Sequence, residues 1–215
     1  MAKARRSYHH GDLRQALIGA SIEILAEEGL LALTLRSAAR KVGVSHAAPK
    51  NHFGDLRGLL TAVAAEGFRR MHEALEMARA RARRRGPAAA LLAIGPAYVA
   101  FAMAAPGHFR AMFHPALGEH HQSDELASAS SATFAVLVSS MAAAQRAGVV
   151  GGDDPVAASI SAWSIVHGLA SLAVDGHLAR KGLSVDHGQL ARTVTRHLFE
   201  GLGAVAVGEG GAHST

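Results

Sequence analysis

Cysteine is absent from this 215-residue chain, which removes disulfide scaffolds, thiolate metal centres and cysteine nucleophiles from consideration and fits a reducing compartment. Strand signals are also missing: alternation of β-branched residues never persists, and no sheet is expected. No apolar stretch follows the basic start Met1 to Arg6, where an export signal would need one, so a cytoplasmic location is expected. Charge is scarce too, at 18% against 49% hydrophobic residues, which is too little for a disordered chain. Three stretches, 87–109, 126–145 and 155–174, lack Asp, Glu, Lys and Arg over a membrane-spanning length. Pro96 and Pro106 break the first, Ser and Ala dominate the second, and the third carries His167 among several serines. Buried helices of a soluble bundle are also apolar all round, and that is the reading adopted.

The charge that is present is unevenly placed. Residues 1–85 carry 16 Lys and Arg against 8 Asp and Glu, whereas 86–215 carry 6 against 9. A basic N-terminal part joined to a mildly acidic, apolar remainder suggests a polyanion-binding module attached to something else. Ala, Leu, Arg and Glu recur at helical spacing throughout, so the expected fold is all-α with eight or nine helices punctuated by Gly and Pro.

The pattern predicts a first helix over 13–28, capped by Asp12 with Gln15 reaching back, its stripe Leu13, Leu17, Ala20 and Ile24. Thr34 can cap a short helix over 35–42 whose inward residues are Leu35, Ala38, Ala39 and Val42. Gly43 then supplies a left-handed turn. Ser45 opens another short helix through His52. Asp55 caps a fourth that runs as far as Arg85. Two short helices around a glycine, the first backed by small alanines and the second polar outward, have the layout of a helix-turn-helix. A bare pair of helices around a turn would share that pattern.

The specific signal lies in the words. Tyr8 to Leu17 (YHHGDLRQAL), Ala26 to Leu30 (AEEGL), Leu33 to Arg36 (LTLR), Val42 to Pro49 (VGVSHAAP) and His52 with Phe53 resemble the N-terminal DNA-binding domain of TetR-family transcriptional regulators. Pro96 to Phe101 (PAYVAF), Pro106 to Phe113 (PGHFRAMF) and Ala162 to Leu172 (AWSIVHGLASL) resemble the branch whose C-terminal domain is named for its Trp, His and Gly. The resemblance implies an all-helical homodimer whose N-terminal helices bind an operator and whose C-terminal bundle binds a small effector. Effector binding in that family alters the separation of the two recognition helices. The expected division is a DNA-binding domain over 1–54 with a basic arm over 1–11, an effector and dimerisation domain over 55–207, and a tail over 208–215.

On that reading Thr34 and Ser45 meet phosphates or simply cap, since helix N-termini attract anions. Arg36 faces a phosphate. His46 and Ala47 approach base edges, and His52 belongs to the same motif. The second helix departs from the family pattern: Pro49 removes an amide near the first turn, Lys50 stands where Tyr is frequent, and Asn51 follows. Lys50 can serve a phosphate as a flexible cation, while Asn51 can pair with adenine, contact a phosphate or face solvent. Leu56, with Arg57 beside it, replaces a frequent Lys after the fourth cap. The Lys3, Arg5 and Arg6 arm either follows the minor groove or is solvated.

Fourteen histidines raise an alternative, a His-rich metal-binding protein or enzyme. Yet His9 with His10, His120 with His121, and His108 with His114 form no recognised ligand motif, no catalytic constellation is visible, and no cofactor is expected. His167 shares a helical stripe with Val156, Ile160, Trp163, Ala170 and Val174. It is either a polar anchor in an effector cavity or a core histidine bonded to a carbonyl. Phe101, Phe109, Met112 and Phe113 are candidates for the cavity wall beside Trp163. An eighth helix from Pro155, capped by Asp154, and a ninth from about His187, capped by Asp186, are expected to form the dimer interface. The expected function is a repressor released from a palindromic operator by a small apolar or amphipathic effector.

Overall fold

The computed structural model describes residues 10–117 and 123–208, with side chains over 13–117 and 123–201. The basic arm, the His9 with His10 and His120 with His121 pairs as side chains, and the tail beyond residue 208 lie outside the described residues. Among those described there are ten α-helices and no strand: α1 (His10–Glu27), α2 (Leu35–Val42), α3 (Ala48–Phe53), α4 (Leu56–Ala82), α5 (Pro87–Ala104), α6 (Pro106–Met112), α7 (Asp124–Arg146), α8 (Pro155–Val174), α9 (His177–Arg180) and α10 (His187–Gly208). The short α9 was not expected, so the predicted ninth helix is α10. The predicted fourth helix stops at Ala82, and Arg83–Arg85 tighten into a 3-10 turn closed by Gly86 at φ 99°.

The chain forms two compact units. The first spans Met1–Gly67 and Ala105–Ala127, the second Phe68–Ala104 and Ser128–Thr215. This differs from the division expected at residue 54, because the start of α4 and all of α6 belong with the N-terminal helices.

In the first unit, Leu17, Ile24 and Leu25 of α1 are buried against Leu59, Leu60 and Val63 of α4, with Ala38 of α2 and Ala111 of α6. Each fully buried Leu or Ile contributes roughly 2 kcal/mol. The helix start differs from expectation: α1 already begins at His10, so Asp12 lies inside its first turn and not at the position before it. Gln15 does not reach back either; its amide donates to Glu66 Oε2 at 3.4 Å. Gly107 lets α6 approach α1 closely, since a Cβ there would meet the Ile22 carbonyl oxygen at 2.1 Å. Arg110 of α6 then donates to the Leu25 and Ala26 carbonyls at 2.8 and 3.0 Å, satisfying the end of α1.

In the second unit, α5 packs against α8 and α10, and α10 against α8. Pro96 sits inside α5 without breaking it, because burial of Leu91, Ile94, Tyr98 and Val99 on the same helix outweighs the roughly 3 kcal/mol that an internal proline costs. Helices α5, α7 and α8 are long and apolar enough to cross a membrane by length and composition. Helical neighbours cover part of α5 and α8, while Val156, Ile160, Ile165 and Leu172 leave an apolar face of α8 exposed. Asp154 Oδ1 accepts from the Val156 and Ala157 amides at 2.8 and 3.0 Å, which starts α8, and Asp186 does the same for α10 through Gly188 and Gln189.

Candidate functional site

The turn between α2 and α3 is built by local chemistry. Thr34 Oγ1 accepts from the Ser37 amide at 2.9 Å while Ser37 Oγ accepts from the Thr34 amide at 2.9 Å, a reciprocal capping box. Gly43, at φ 79°, ends α2 with its amide on the Ala39 and Arg40 carbonyls. Ala38 and Ala39 are fully buried, and Val44 packs against the same core.

The second helix starts three residues later than its sequence suggests. Ser45, His46 and Ala47 form the turn before α3, closed by the Ala48 amide on the Ser45 carbonyl at 3.0 Å. Pro49 has no amide to bond that carbonyl, so the regular ladder starts with Asn51 on Ala47 at 3.2 Å. Pro49 itself is buried. Ser45 therefore does not open α3, and His46 and Ala47 project from a turn and not from a helix face.

Thr34, Arg36, Ser45, His46, Ala47, Lys50 and Asn51 are all exposed, and His52 is half-buried. The structure thus brings the eight predicted residues onto the α2–turn–α3 segment with seven of them open to solvent. Arg36 and Lys50 make no ion pair among the described residues. Lys41 does: its Nζ lies 3.1 Å from Glu23 and 3.2 Å from Glu27 of α1, and those bonds raise its pKa. It holds α2 to α1 and leaves the open positive charge to its neighbours. Arg14 of α1 lies 5.4 Å from the centre of the Phe53 ring, steadying the end of α3.

In the second unit a small cavity of about 50 Å³ lies among α5, α7, α8 and α10. Its wall is apolar, from Leu91 and Ile94 through Met141 and Val166 to Leu198 and Phe199, with Tyr98, Trp163 and Thr195 as its polar-capable members. Trp163 Nε1 donates to the Tyr98 hydroxyl at 3.3 Å, and that hydroxyl lies 2.8 Å from His167 Nδ1. If Tyr98 donates to Nδ1, the proton of His167 sits on Nε2, facing Ser171 Oγ at 3.4 Å. Burial lowers the His167 pKa and raises that of Tyr98, so both are neutral near pH 7.

Of the six predicted cavity residues, Trp163 lines the cavity, and His167 stands behind it, holding Tyr98. Phe101 of α5 is half-buried but outside the lining. Phe109 and Met112 are buried in the first unit, where Phe113 lies 5.2 Å from Phe109 ring to ring and Met112 packs against Gly67. Phe109 and Met112 are core of that unit, Phe113 is half-buried beside them, and none is wall of this cavity. Sequence reasoning missed Leu91, Ile94, Tyr98 and Thr195. Thr195 had a readable signal, as the one polar member of the stripe Ala191, Thr195, Leu198.

A second, larger cleft of about 500 Å³ lies between the end of α4, the start of α5 and α7. Its Arg79 is already committed, bonding Glu76 at 2.7 and 2.8 Å and Ser139 at 3.1 Å. Among the described residues no three His, Asp or Glu side chains are grouped to hold a metal ion.

A helix-turn-helix unit followed by an all-helical unit with a small apolar cavity defines the class of helix-turn-helix regulators with a separate sensing part. Residues 91–198 match the family described as tetracyclin repressor-like, C-terminal domain, and the chain belongs to this TetR family of transcriptional regulators. No curated protein matches it by sequence. Among solved structures it is similar to a protein of unknown function from Rhodococcus sp. RHA1, with 32% identity, coverage of 93% of this chain and 100% of that one, and a TM-score of 0.74. The TetR-family transcriptional regulator PfmR from Thermus thermophilus shares the fold at 18% identity, 86% and 98% coverage and a TM-score of 0.69. So does AibR, solved in complex with isovaleryl coenzyme A and operator DNA, at 14% identity, 87% and 98% coverage and a TM-score of 0.65.

Proposed function

We propose that this regulator is a cytoplasmic homodimeric repressor that binds a palindromic operator and is released by a small apolar or amphipathic effector. The observation that carries the DNA-binding half is the open α2–turn–α3 surface. Thr34, Arg36 and Lys50 serve phosphates; His46, Ala47 and Asn51 approach base edges, with Ser45 and His52 flanking them. A turn carrying His46 and Ala47 leads the short α3 into the groove, and the buried Pro49 anchors it from behind.

The apolar cavity supports the sensing half. Its 50 Å³ is far below the roughly 300–1,000 Å³ of typical ligand pockets, so a ligand of that size fits only if α5, α7, α8 and α10 move apart. That need for movement is what a switch requires: in a dimer, a shift of a few ångströms spoils the roughly 34–36 Å spacing that successive major grooves demand. The solved complex of AibR with an acyl thioester and operator DNA supports the combination of both activities on this fold. Dimerisation through α8 and α10 is supported by Val156, Ile160, Ile165 and Leu172 of α8, all exposed; a second copy would cover them. Trp163, His167 and Gly168 support placement in the branch named for these residues.

The test is binding of the purified protein to DNA upstream of its own gene and to a random-sequence library, with excess non-specific competitor at two salt concentrations. A saturable complex that protects an inverted repeat is expected. Binding lost to competitor on both DNAs would refute sequence-specific regulation.

A further inference from the structure

Three serine or threonine side chains buried inside long helices bond back to the carbonyl four residues earlier: Ser21 to Leu17 at 2.7 Å, Thr133 to Ala129 at 2.8 Å and Ser140 to Val136 at 2.8 Å. This is the ordinary way to satisfy a hydroxyl in a helix. Ser159 in α8 does not do so but lies outside the cavity lining; nor does Thr195 in α10. It is 8% exposed, its Oγ1 has no hydrogen-bond partner, and it lines the apolar cavity. Gly95 of α5 makes room for it, since a Cβ there would stand 2.1 Å from Thr195 Oγ1. A buried hydroxyl without a partner is a standing cost to the fold, and an incoming polar atom would relieve it.

The rest of the wall decides what kind of polar atom that is. Among the described residues no Lys, Arg, His, Asp or Glu lines the cavity, so a charged group brought inside would have no counter-ion there. An ionised carboxylate in such surroundings is strongly disfavoured, whereas a hydroxyl, carbonyl or ester is not. The Tyr98 hydroxyl is already held between Trp163 and His167, which leaves Thr195 as the group in need of a partner.

We propose, building on the effector-cavity reading above, that the cavity takes an uncharged, mainly apolar molecule with one hydrogen-bonding group seated on Thr195, and rejects the carboxylate of the same length. This sets the ligand class apart from free fatty acids and from charged acyl carriers.

Trp163 is the sole tryptophan of the chain and lies in the cavity wall, so its emission reports entry. The full-length protein is titrated with octanol, methyl octanoate and octanoate at mildly alkaline pH, with hexyl and decyl homologues to match size. Octanol and the methyl ester should shift the emission, and octanoate should bind about a hundredfold more weakly. Thr195→Val, which keeps the shape, should weaken octanol binding about tenfold while leaving the thermal midpoint unchanged or higher. Thr195→Ser should retain octanol binding. Octanoate binding as tightly as octanol, or full octanol affinity in Thr195→Val, would overturn the neutral-ligand inference and leave the effector cavity standing. Silence of Trp163 toward every probe at saturation would overturn both.

Discussion

The close approach of α6 to α1 turns one glycine into a quantitative test. A Cβ at residue 107 would lie 2.1 Å from the Ile22 carbonyl oxygen, 2.9 Å from its carbonyl carbon and 3.0 Å from Ile22 Cγ2. The first two are backbone atoms, which cannot turn aside as a side chain would, so α6 must draw back by roughly an ångström. Such overpacking costs about 1–3 kcal/mol. The same retreat stretches the Arg110 bonds to Leu25 and Ala26, now 2.8 and 3.0 Å, whose partial loss adds about 1 kcal/mol. The helix preference of alanine returns at most about 1 kcal/mol. Gly107→Ala is therefore expected to destabilise by about 1–4 kcal/mol. Gly19 is the internal control, because it lies within α1 with nothing inside 4 Å of a Cβ. Gly19→Ala should stabilise by about 0.5–1 kcal/mol. Urea unfolding at one fixed protomer concentration measures both. For a chain of this size the thermal midpoints should move down by roughly 2–16 °C and up by roughly 1–4 °C respectively. Equal stabilisation by the two substitutions would refute the close packing of α6 on α1, and with it the assignment of α6 to the DNA-binding unit.

Lys50→Ala should weaken binding to every DNA sequence and reduce the slope of log affinity against log salt by about one; lost specificity with an unchanged slope, read by fluorescence anisotropy, would contradict a phosphate role. Burial depresses the His167 pKa, so the unfolded chain takes up a proton first, and stability is lost as pH falls from about 6.5 through the folded value. His167→Gln, which can still accept from Tyr98, should flatten that acid-side decline in urea midpoints; an unaltered decline would assign it to other groups, such as His114, whose pKa burial also lowers. Ile160 of α8 is 49% exposed, and if the proposed dimer forms through this helix, Ile160→Glu should yield a monomer in sedimentation and weaken operator binding; a dimer unchanged by the substitution would exclude that face of α8 from the interface.

What could be read along the chain was governed by groups a few residues apart. Thr34 and Ser37 cap each other, Gly43 supplies a conformation that a β-carbon penalises, and Asp154 meets two amides just beyond it; these bonds form in any chain with those neighbours. The helix-turn-helix and its exposed residues were legible for that reason. Even there, the missing amide of Pro49 moved the start of α3 further than its pattern suggested. Partners distant in sequence were not legible. Lys41 is taken up by carboxylates of α1, Phe109 and Met112 serve a core that an aromatic suits as well as a cavity, and Thr195 is left without a partner because Gly95 lets α5 come close. Hydrophobic burial is non-directional and depends on the area removed from water, so apolar spacing marks which residues must be covered. Which helices cover them, and which hydroxyl is left without a partner, is settled by packing between helices far apart along the chain.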